Sequence, residues 1–117
     1  MNHKLIGDFG EKISKKYLER LDYEIIKTNF SCRQGEIDII AFDREELVFI
    51  EVKTRINKKF GYAIEAVNGL KQKHIRTVAQ YFAYKYNLEN YCMRFDIIEI
   101  YLERKKYFLN HVKNVMW

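Results

Sequence analysis

Three charged residues, Asp38, Glu51 and Lys53, lie inside segments that are otherwise apolar. Residues 36–42 and 47–55 are rich in Ile, Val and Phe, which predicts two strands joined as a hairpin. If the loop between them is even-numbered, Asp38 lies opposite Glu51. Two opposed carboxylates with Cβ atoms about 5 Å apart repel each other unless a cation or a proton lies between them. The spacing therefore indicates a place for a cation or a shared proton.

The two faces of this predicted hairpin differ in polarity. One face is apolar throughout and is expected to belong to a core: Ile37, Ile39, Ala41, Val48, Ile50 and Val52. The other is apolar near the turn and charged at the far end: Ile40, Phe42, Leu47, Phe49, Glu36, Asp38, Glu51, Lys53 and Arg55. Because a fully solvated face would not carry four large apolar residues, we expect a sheet covered on both sides, with the charges at the mouth of a partly closed site. The alternative is a structural cluster in which Glu36 pairs with Lys53 and Asp38 with Arg55.

Metal-assisted phosphodiester cleavage is a chemistry that needs these residue types. The oxygens of Asp38 and Glu51 are hard ligands suited to Mg²⁺, which usually takes only one or two protein carboxylates. Such an ion neutralises a transition-state phosphate and lowers the pKa of a bound water. Lys53 lies about 7 Å beyond Glu51 on the same strand face and can place its charge on the phosphate or beside the attacking water. The spacing predicts a hydrolytic site.

At these residues the chain resembles the PD-(D/E)XK nuclease superfamily, because Asp38 is followed after a short hairpin by Glu51-Val52-Lys53. Ile37, not Pro, precedes the Asp. The chain is also similar, over nearly its whole length, to the YraN-like family of small bacterial proteins, whose fold is similar to that of archaeal Holliday junction resolvases. The residues that carry this likeness are Gly10-Glu11, Tyr17-Leu18, Asn29, Gly35-Glu36-Ile37-Asp38, residues 49–55, Lys71 and Arg94-Phe95-Asp96.

The superfamily resemblance implies a role for each matching residue. Asp38 and Glu51 would bind the metal with help from the backbone carbonyl of Val52, Lys53 would be the catalytic lysine, and Glu11 would be an accessory acid. The implied cofactor is Mg²⁺, with Mn²⁺ as a substitute, and the implied substrate is DNA, in particular structured or branched DNA. A junction resolvase needs two sites, so a homodimer is a further expectation.

The implied fold is α/β and restriction-endonuclease-like, with a mixed five-stranded sheet flanked by helices in the order α-β-β-β-α-β-β. Periodicity predicts the same order, with helices over 6–21 and 64–87 and strands over 23–30, 36–42, 47–55, 93–102 and 107–115. A long helix between the third and fourth strands predicts that those two run parallel. Two helical stripes are predicted to be apolar: Ile6, Phe9, Ile13, Tyr17 and Leu21, with Glu11 on the shoulder, and Ile64, Val67, Leu70, Ile75, Val78, Ala79, Phe82 and Tyr86, with Lys71 and His74 within it.

Composition is consistent with a single domain over residues 1–117, with 48% hydrophobic and 15% aromatic residues to build a core. Cys32 and Cys92 stand apart, with no zinc-ligand spacing, which indicates reduced thiols in the cytoplasm. No window approaches eighteen uncharged apolar residues, so no membrane partner is expected.

The net charge of +5 suits a polyanionic partner such as nucleic acid. The basic residues expected to contact a DNA backbone are Lys12, Lys15, Lys16, Arg55, Lys58, Lys59, Lys71, Lys73 and Arg76. A helix that begins near the charged site would also favour phosphate. The rival interpretation is a nucleic-acid-binding or protein-interaction module that keeps the fold without cleaving.

Overall fold

The computed structural model describes residues 3–56 and 69–116 of the chain, and there the elements follow the predicted order. They are α1 (His3–Arg20), β1 (Glu24–Cys32), β2 (Gly35–Asp43), β3 (Glu46–Arg55), α2 (Gly69–Lys85), β4 (Cys92–Glu103) and β5 (Lys106–Val112). The predicted start of the second helix at residue 64, including Ile64 and Val67, falls outside the described residues. None of the described helices is long and apolar enough to cross a membrane.

The five strands form one mixed sheet in the spatial order β1-β2-β3-β4-β5. β3 and β4 are parallel, and every other neighbouring pair is antiparallel, so the predicted α/β fold is confirmed. The turn between β2 and β3 is even-numbered, as the predicted register requires: Asp43 pairs with Glu46 around the two-residue loop Arg44-Glu45. Arg44 takes the left-handed conformation there, with φ of +57°.

Each face of the sheet is covered by one described helix, as a sheet buried on both sides demands. In the cluster on the α1 side, Ile13 and Leu18 of the helix pack with Tyr23, Ile39, Ala41, Val48, Ile50, Ile98 and Ile100. In the cluster on the α2 side, Ile75, Val78, Ala79, Phe82 and Ala83 of the helix pack with Phe30, Ile37, Ile40, Leu47, Phe49, Phe95, Ile97 and Met116. Because β2, β3 and β4 contribute to both clusters, they form the centre of the fold.

The buried face of α1 differs from the predicted stripe. Phe9 and Leu21 are exposed, and the buried positions include Gly10 and Ser14. A Cβ at Gly10 would overlap the Oγ1 atom of Thr54 on β3, so α1 approaches the sheet through its small residues. Hydropathy gives small residues little weight, and the predicted stripe was therefore rotated towards larger side chains.

Two other positions also correct the prediction. Leu70, predicted to be apolar and inward, is 66% exposed at the start of α2. Ile37, predicted to share a face with Ile39, packs instead beneath α2 while Ile39 packs beneath α1. The alternation breaks at Asp38, the residue between them. Opposite it, Asn29 of β1 has a positive φ of 51°, a conformation that Asn tolerates better than most residues.

The last strand ends earlier than predicted, at Val112 instead of residue 115. Asn114 has a φ of +55°, and its backbone N–H donates to the Asp96 carboxylate at 3.0 Å. The N–H of Val115 then donates to the carbonyl of Phe95 at 2.8 Å. These contacts turn the chain out of the β5 ladder and hold it against β4.

Candidate active site

The candidate site lies where β2 separates from β3. The two strands pair in the predicted register from Asp43 and Glu46 as far as Ile39 and Ile50, and this recorded pairing stops before Asp38. There the Oδ2 atom of Asp38 accepts the backbone N–H of Val52 at 2.8 Å. A side-chain carboxylate thus takes the place of a backbone acceptor, and the end of the hairpin opens around it.

Glu51 lies beside this opening and is contacted by two lysines. Its Oε1 atom is 3.0 Å from the ammonium nitrogen of Lys53 and 3.0 Å from that of Lys71. Lys71 belongs to α2, so this contact brings the helix to the site. The second oxygen, Oε2, is buried, and none of the described residues supplies it with a hydrogen-bond partner. A buried carboxylate oxygen left in this way costs about 1–3 kcal/mol.

The ion pairs of the structural alternative, Glu36 with Lys53 and Asp38 with Arg55, are not found within residues 3–56 and 69–116. Lys53 pairs along its own strand with Glu51. The Nε atom of Arg55 is buried, and no described residue accepts a hydrogen bond from it. The charges therefore do not neutralise one another across the hairpin in the way that a purely structural cluster would require.

The electrostatic environment of Asp38 is unfavourable to its negative charge. Burial raises the pKa of the Asp38 carboxyl, the hydrogen bond from the Val52 amide opposes that rise, and the neighbouring carboxylates of Glu51, Glu11 and Glu36 add to it. A cation placed among these carboxylates would remove the repulsion. The site is thus acidic, partly desolvated and short of positive charge on the Asp38 side.

Glu11 reaches the same region from α1, as the accessory acid is expected to do. It follows Gly10, where the helix touches β3, and its Oε1 atom accepts a hydrogen bond from the side-chain amide of Asn29 at 3.0 Å. The positive φ of Asn29 is part of the same irregularity that reorients Ile37. The arrangement places Glu11 near enough to add to the raised pKa of Asp38.

The donor atoms present fit a hard divalent cation. Glu51 offers a buried oxygen without a partner, and Asp38 offers a carboxylate that its neighbours repel. The N–H of Val52 points towards Asp38, and in a strand the carbonyl of the same residue points to the same side. No group of three or more His, Cys, Asp or Glu side chains close enough to hold a metal occurs among the described residues, and Mg²⁺ does not need one.

The predicted DNA-contacting residues fall into three groups. Lys12 and Lys16 are exposed on α1, with Lys15 half-buried beside them, and Lys73 and Arg76 are exposed on α2. Lys71 is half-buried and contacts Glu51, and Arg55 is half-buried two residues beyond Lys53 on β3. Lys58 and Lys59 lie outside the described residues.

Sequence comparison supports the family to which these site residues point. The profile described as "Uncharacterised protein family UPF0102" matches residues 10–100, a segment that includes Glu11, Asp38, Glu51, Lys53 and Lys71. The chain belongs to the UPF0102 family. This is the YraN-like family that the sequence resembles.

Several UPF0102 proteins are similar to this chain over most of their length. A UPF0102 protein of Caldicellulosiruptor bescii is 50% identical over 106 residues, covering 90% of this chain and 89% of the relative. One from Clostridioides difficile is 47% identical over 114 residues, covering 97% and 98%. One from Caldanaerobacter subterraneus is 43% identical over 116 residues, covering 99% and 95%.

A second polar cluster, of which the sequence analysis names Arg94, Asp96 and Tyr17 in the family likeness without connecting them, is buried near the other end of the sheet. Arg94 donates from Nε and Nη2 to the two oxygens of Asp96, both at 2.9 Å. The Nε2 atom of His111 lies 2.8 Å from Asp96, and its Nδ1 atom 2.9 Å from the hydroxyl of Tyr17. We call the residues joined in this way the Asp96 network; its remaining members are Tyr23, Asp43, Glu46 and Asn114.

A buried carboxylate also lies beside Lys53. Glu99 is paired with Lys53 in the parallel ladder and is fully buried. It accepts hydrogen bonds from the hydroxyl of Tyr101 and, at 3.2 Å, from the side-chain amide of Asn110. Charged residues inside an apolar strand were the signal that singled out Asp38 and Glu51. Applied to β4, the same signal would have found Arg94, Asp96 and Glu99.

Proposed function

We propose that this UPF0102 protein is a Mg²⁺-dependent endonuclease that hydrolyses phosphodiester bonds in DNA, with a preference for structured or branched DNA. The observation that carries the proposal is the arrangement at the open end of the β2–β3 hairpin. There Asp38 and Glu51 approach each other, one oxygen of Glu51 is buried without a partner, and Lys53 lies 3.0 Å from the other.

Asp38 and Glu51 would hold the cation, with the carbonyl of Val52 on the same side of the strand. When bound, Mg²⁺ supplies positive charge for the phosphate oxygens and lowers the pKa of a coordinated water. The half-buried position of these residues also limits the competition from bulk water for the cation.

The lysines act through their charge. Lys53 and Lys71 both contact the Oε1 atom of Glu51, and they exchange this contact for a phosphate oxygen when a polyanion enters. Lys53, on β3, is placed for the scissile phosphate, whereas Lys71, on α2, is placed for a neighbouring phosphate. An ammonium group held at a developing charge stabilises the transition state more than the ground state.

A four-way junction must be cut on two strands, so for that substrate the proposal includes a homodimer acting in the cytoplasm. A chain of this size has little room for a separate recognition domain. Shape and backbone contacts are therefore expected to matter more than base reading.

The test is a cleavage assay on duplex, single-stranded and four-way-junction DNA with Mg²⁺ or Mn²⁺. Glu51→Ala and Lys53→Ala are expected to fold and to bind DNA, yet to cleave at least about 100-fold more slowly than the wild type, because a positioned charge is lost. The matched controls are Glu45→Ala and Lys113→Ala, which remove the same types of charge from exposed positions far from the site and should cleave normally.

Two outcomes would contradict the proposal. Cleavage by Lys53→Ala at the wild-type rate would remove Lys53 from the catalytic machinery. Salt-dependent DNA binding without cleavage by any form, in either metal, would favour a non-catalytic binding module. In such a module, the contacts of Lys53 and Lys71 with Glu51 would be those of the protein without bound DNA.

A further inference from the structure

An apolar groove with a basic rim lies between the start of α1 and the β4–β5 hairpin. Its volume is about 590 Å³, and its floor includes Ile6 and Leu102. Two aromatic side chains form one wall: Phe9 is 43% exposed and Tyr107 45% exposed, and their rings meet edge to face with centroids 6.4 Å apart. Exposed apolar side chains that adjoin one another and are rimmed by polar residues mark binding grooves, whereas single exposed ones do not.

The rim of the groove is positively charged. Arg104, Lys105 and Lys106 line it, and all three are exposed at the hairpin. Among the described residues that line the groove, none is acidic. On α1, Asp8 is engaged by Lys4 at 3.2 Å, and on the hairpin Glu103 is paired with Lys106 in the β4–β5 ladder. The groove therefore combines aromatic rings with a basic rim.

The groove lies at the same end of β3 as the candidate active site, on the face covered by α1. Phe9 and Glu11 are the two neighbours of Gly10, the residue through which α1 touches β3. Ile56, which also lines the groove, follows β3 directly and lies three residues beyond Lys53, or roughly 10 Å along an extended chain. Lys53 and Thr54 face opposite sides of β3 and Thr54 touches α1, so a nucleic-acid strand with a phosphate at Lys53 would pass round the end of β3 to place an adjoining base in the groove.

We propose that this groove binds unpaired bases of single-stranded DNA that flanks the cleavage site. Base stacking on aromatic rings, combined with a basic surface that follows the backbone, is how proteins hold single strands without reading sequence. A duplex keeps its bases stacked on each other and cannot use the rings. The inference deepens the proposed function, on which the choice of DNA rests, by naming the substrate as DNA in which a duplex meets an unpaired strand.

A protein segment is the competing occupant. An acidic amphipathic peptide would also satisfy a basic rim and an apolar floor, but it requires only apolar volume and not aromatic faces. Replacing the rings with leucine distinguishes the two, because leucine keeps the groove apolar and removes the stacking surface. Phe9 and Tyr107 are exposed enough for this change to leave the fold intact.

The experiment measures binding of labelled oligothymidylate, of about 20 nucleotides so that it exceeds the usual site size, and of a blunt duplex, both in EDTA. Without divalent metal the binding result does not depend on cleavage. The proposed role of the groove can therefore be disproved while the proposed nuclease activity is retained, and the reverse. Phe9→Leu and Tyr107→Leu are each expected to weaken single-strand binding about 10-fold and to leave duplex binding unchanged. Tyr107→Phe, which keeps the ring, should restore it.

The control is Tyr84→Leu, which removes an equally large ring from α2, where Tyr84 is 69% exposed. This variant should bind both oligonucleotides as the wild type does. Equal weakening by Tyr84→Leu and Tyr107→Leu, or no weakening by either groove variant, overturns the assignment. An acidic amphipathic peptide that displaces the oligonucleotide and binds the leucine variants as tightly as the wild type would assign the groove to a protein instead.

Discussion

Asp38 and Asp96 are two aspartates of one sheet whose surroundings act in opposite directions. Burial alone would raise the pKa of both carboxyls. At Asp96 the hydrogen bonds from His111, Arg94 and the Asn114 amide outweigh burial and hold the pKa below its usual range. At Asp38, burial raises the pKa, and the neighbouring carboxylates raise it further. Only the hydrogen bond from the Val52 amide opposes this rise.

The difference separates a region whose charges are satisfied within the fold from one whose charges are not. In the Asp96 network, every carboxylate oxygen of Asp96 has a donor within 3.0 Å. At the candidate active site, Glu51 keeps a buried oxygen without a partner among the described residues. A folded chain tolerates such unsatisfied groups where a ligand completes them. The following four predictions test this contrast.

The largest effect is expected from breaking the Asp96 network. Asp96→Asn leaves the buried guanidinium of Arg94 without its bidentate partner and should lower the free energy of unfolding by about 3–5 kcal/mol. Urea denaturation at neutral pH measures this loss. Glu46→Gln, which removes an exposed partner of the same arginine, should cost at most about 1 kcal/mol. Equal losses from the two variants would show that the network does not depend on burial.

Magnesium should stabilise the folded protein through the candidate active site and not through the Asp96 network. At about 100 times its dissociation constant, Mg²⁺ is expected to raise the free energy of unfolding by about 2.7 kcal/mol, because the folded state alone brings Asp38 and Glu51 together. Urea denaturation with and without the ion checks the increment. Glu51→Gln should abolish it, whereas Glu46→Gln, at the other end of β3, should retain it. An increment that persists in Glu51→Gln would locate the ion elsewhere.

The sequence predicts contacts between residues that are close along the chain better than contacts between residues that are far apart along it. The order of elements, the parallel β3–β4 pair and the register of the β2–β3 hairpin follow from local patterns, as does the grouping of Asp38 with Glu51. The role of Gly10 does not, because the value of a missing Cβ depends on Thr54, far away in the chain. The connections within the Asp96 network do not follow either, for the same reason: His111 and Tyr17 are 94 residues apart.

The irregularity opposite Asp38 was also beyond pattern reasoning. Strict alternation assigned Ile37 and Ile39 to one face, but the pairing is interrupted between them and the side chains pack on opposite faces. Only the family resemblance singles out Asn29, and nothing in the residues around it predicts its left-handed conformation. Such departures from regular structure are expected where a strand serves a site instead of a ladder.

Acid should remove the stabilising contribution of Asp96. Because its folded pKa is lowered, its contribution is complete above the unfolded value of about 3.9 and is lost as the pH falls through the folded pKa. Urea denaturation from pH 7 to below pH 4 should show the stability of the wild type falling steeply in acid. The curve of Asp96→Asn should be flatter in that window, and parallel curves would mean that other groups control acid unfolding.

The smallest effect is expected at Asp38 and has the opposite sign. Its raised pKa means that ionised Asp38 costs stability above the folded pKa and costs nothing below the unfolded value of about 3.9, where both states are protonated. In EDTA at neutral pH, Asp38→Asn keeps an oxygen for the Val52 amide and removes the repelled charge. It should therefore stabilise the fold by about 0.5–2 kcal/mol, and the gain should vanish in acid.

The control Asp8→Asn, at an exposed position paired with Lys4, should change the free energy of unfolding little. If Asp38→Asn instead destabilises the protein as Asp96→Asn does, the carboxylate is held by its surroundings, and the region is a structural one like the Asp96 network.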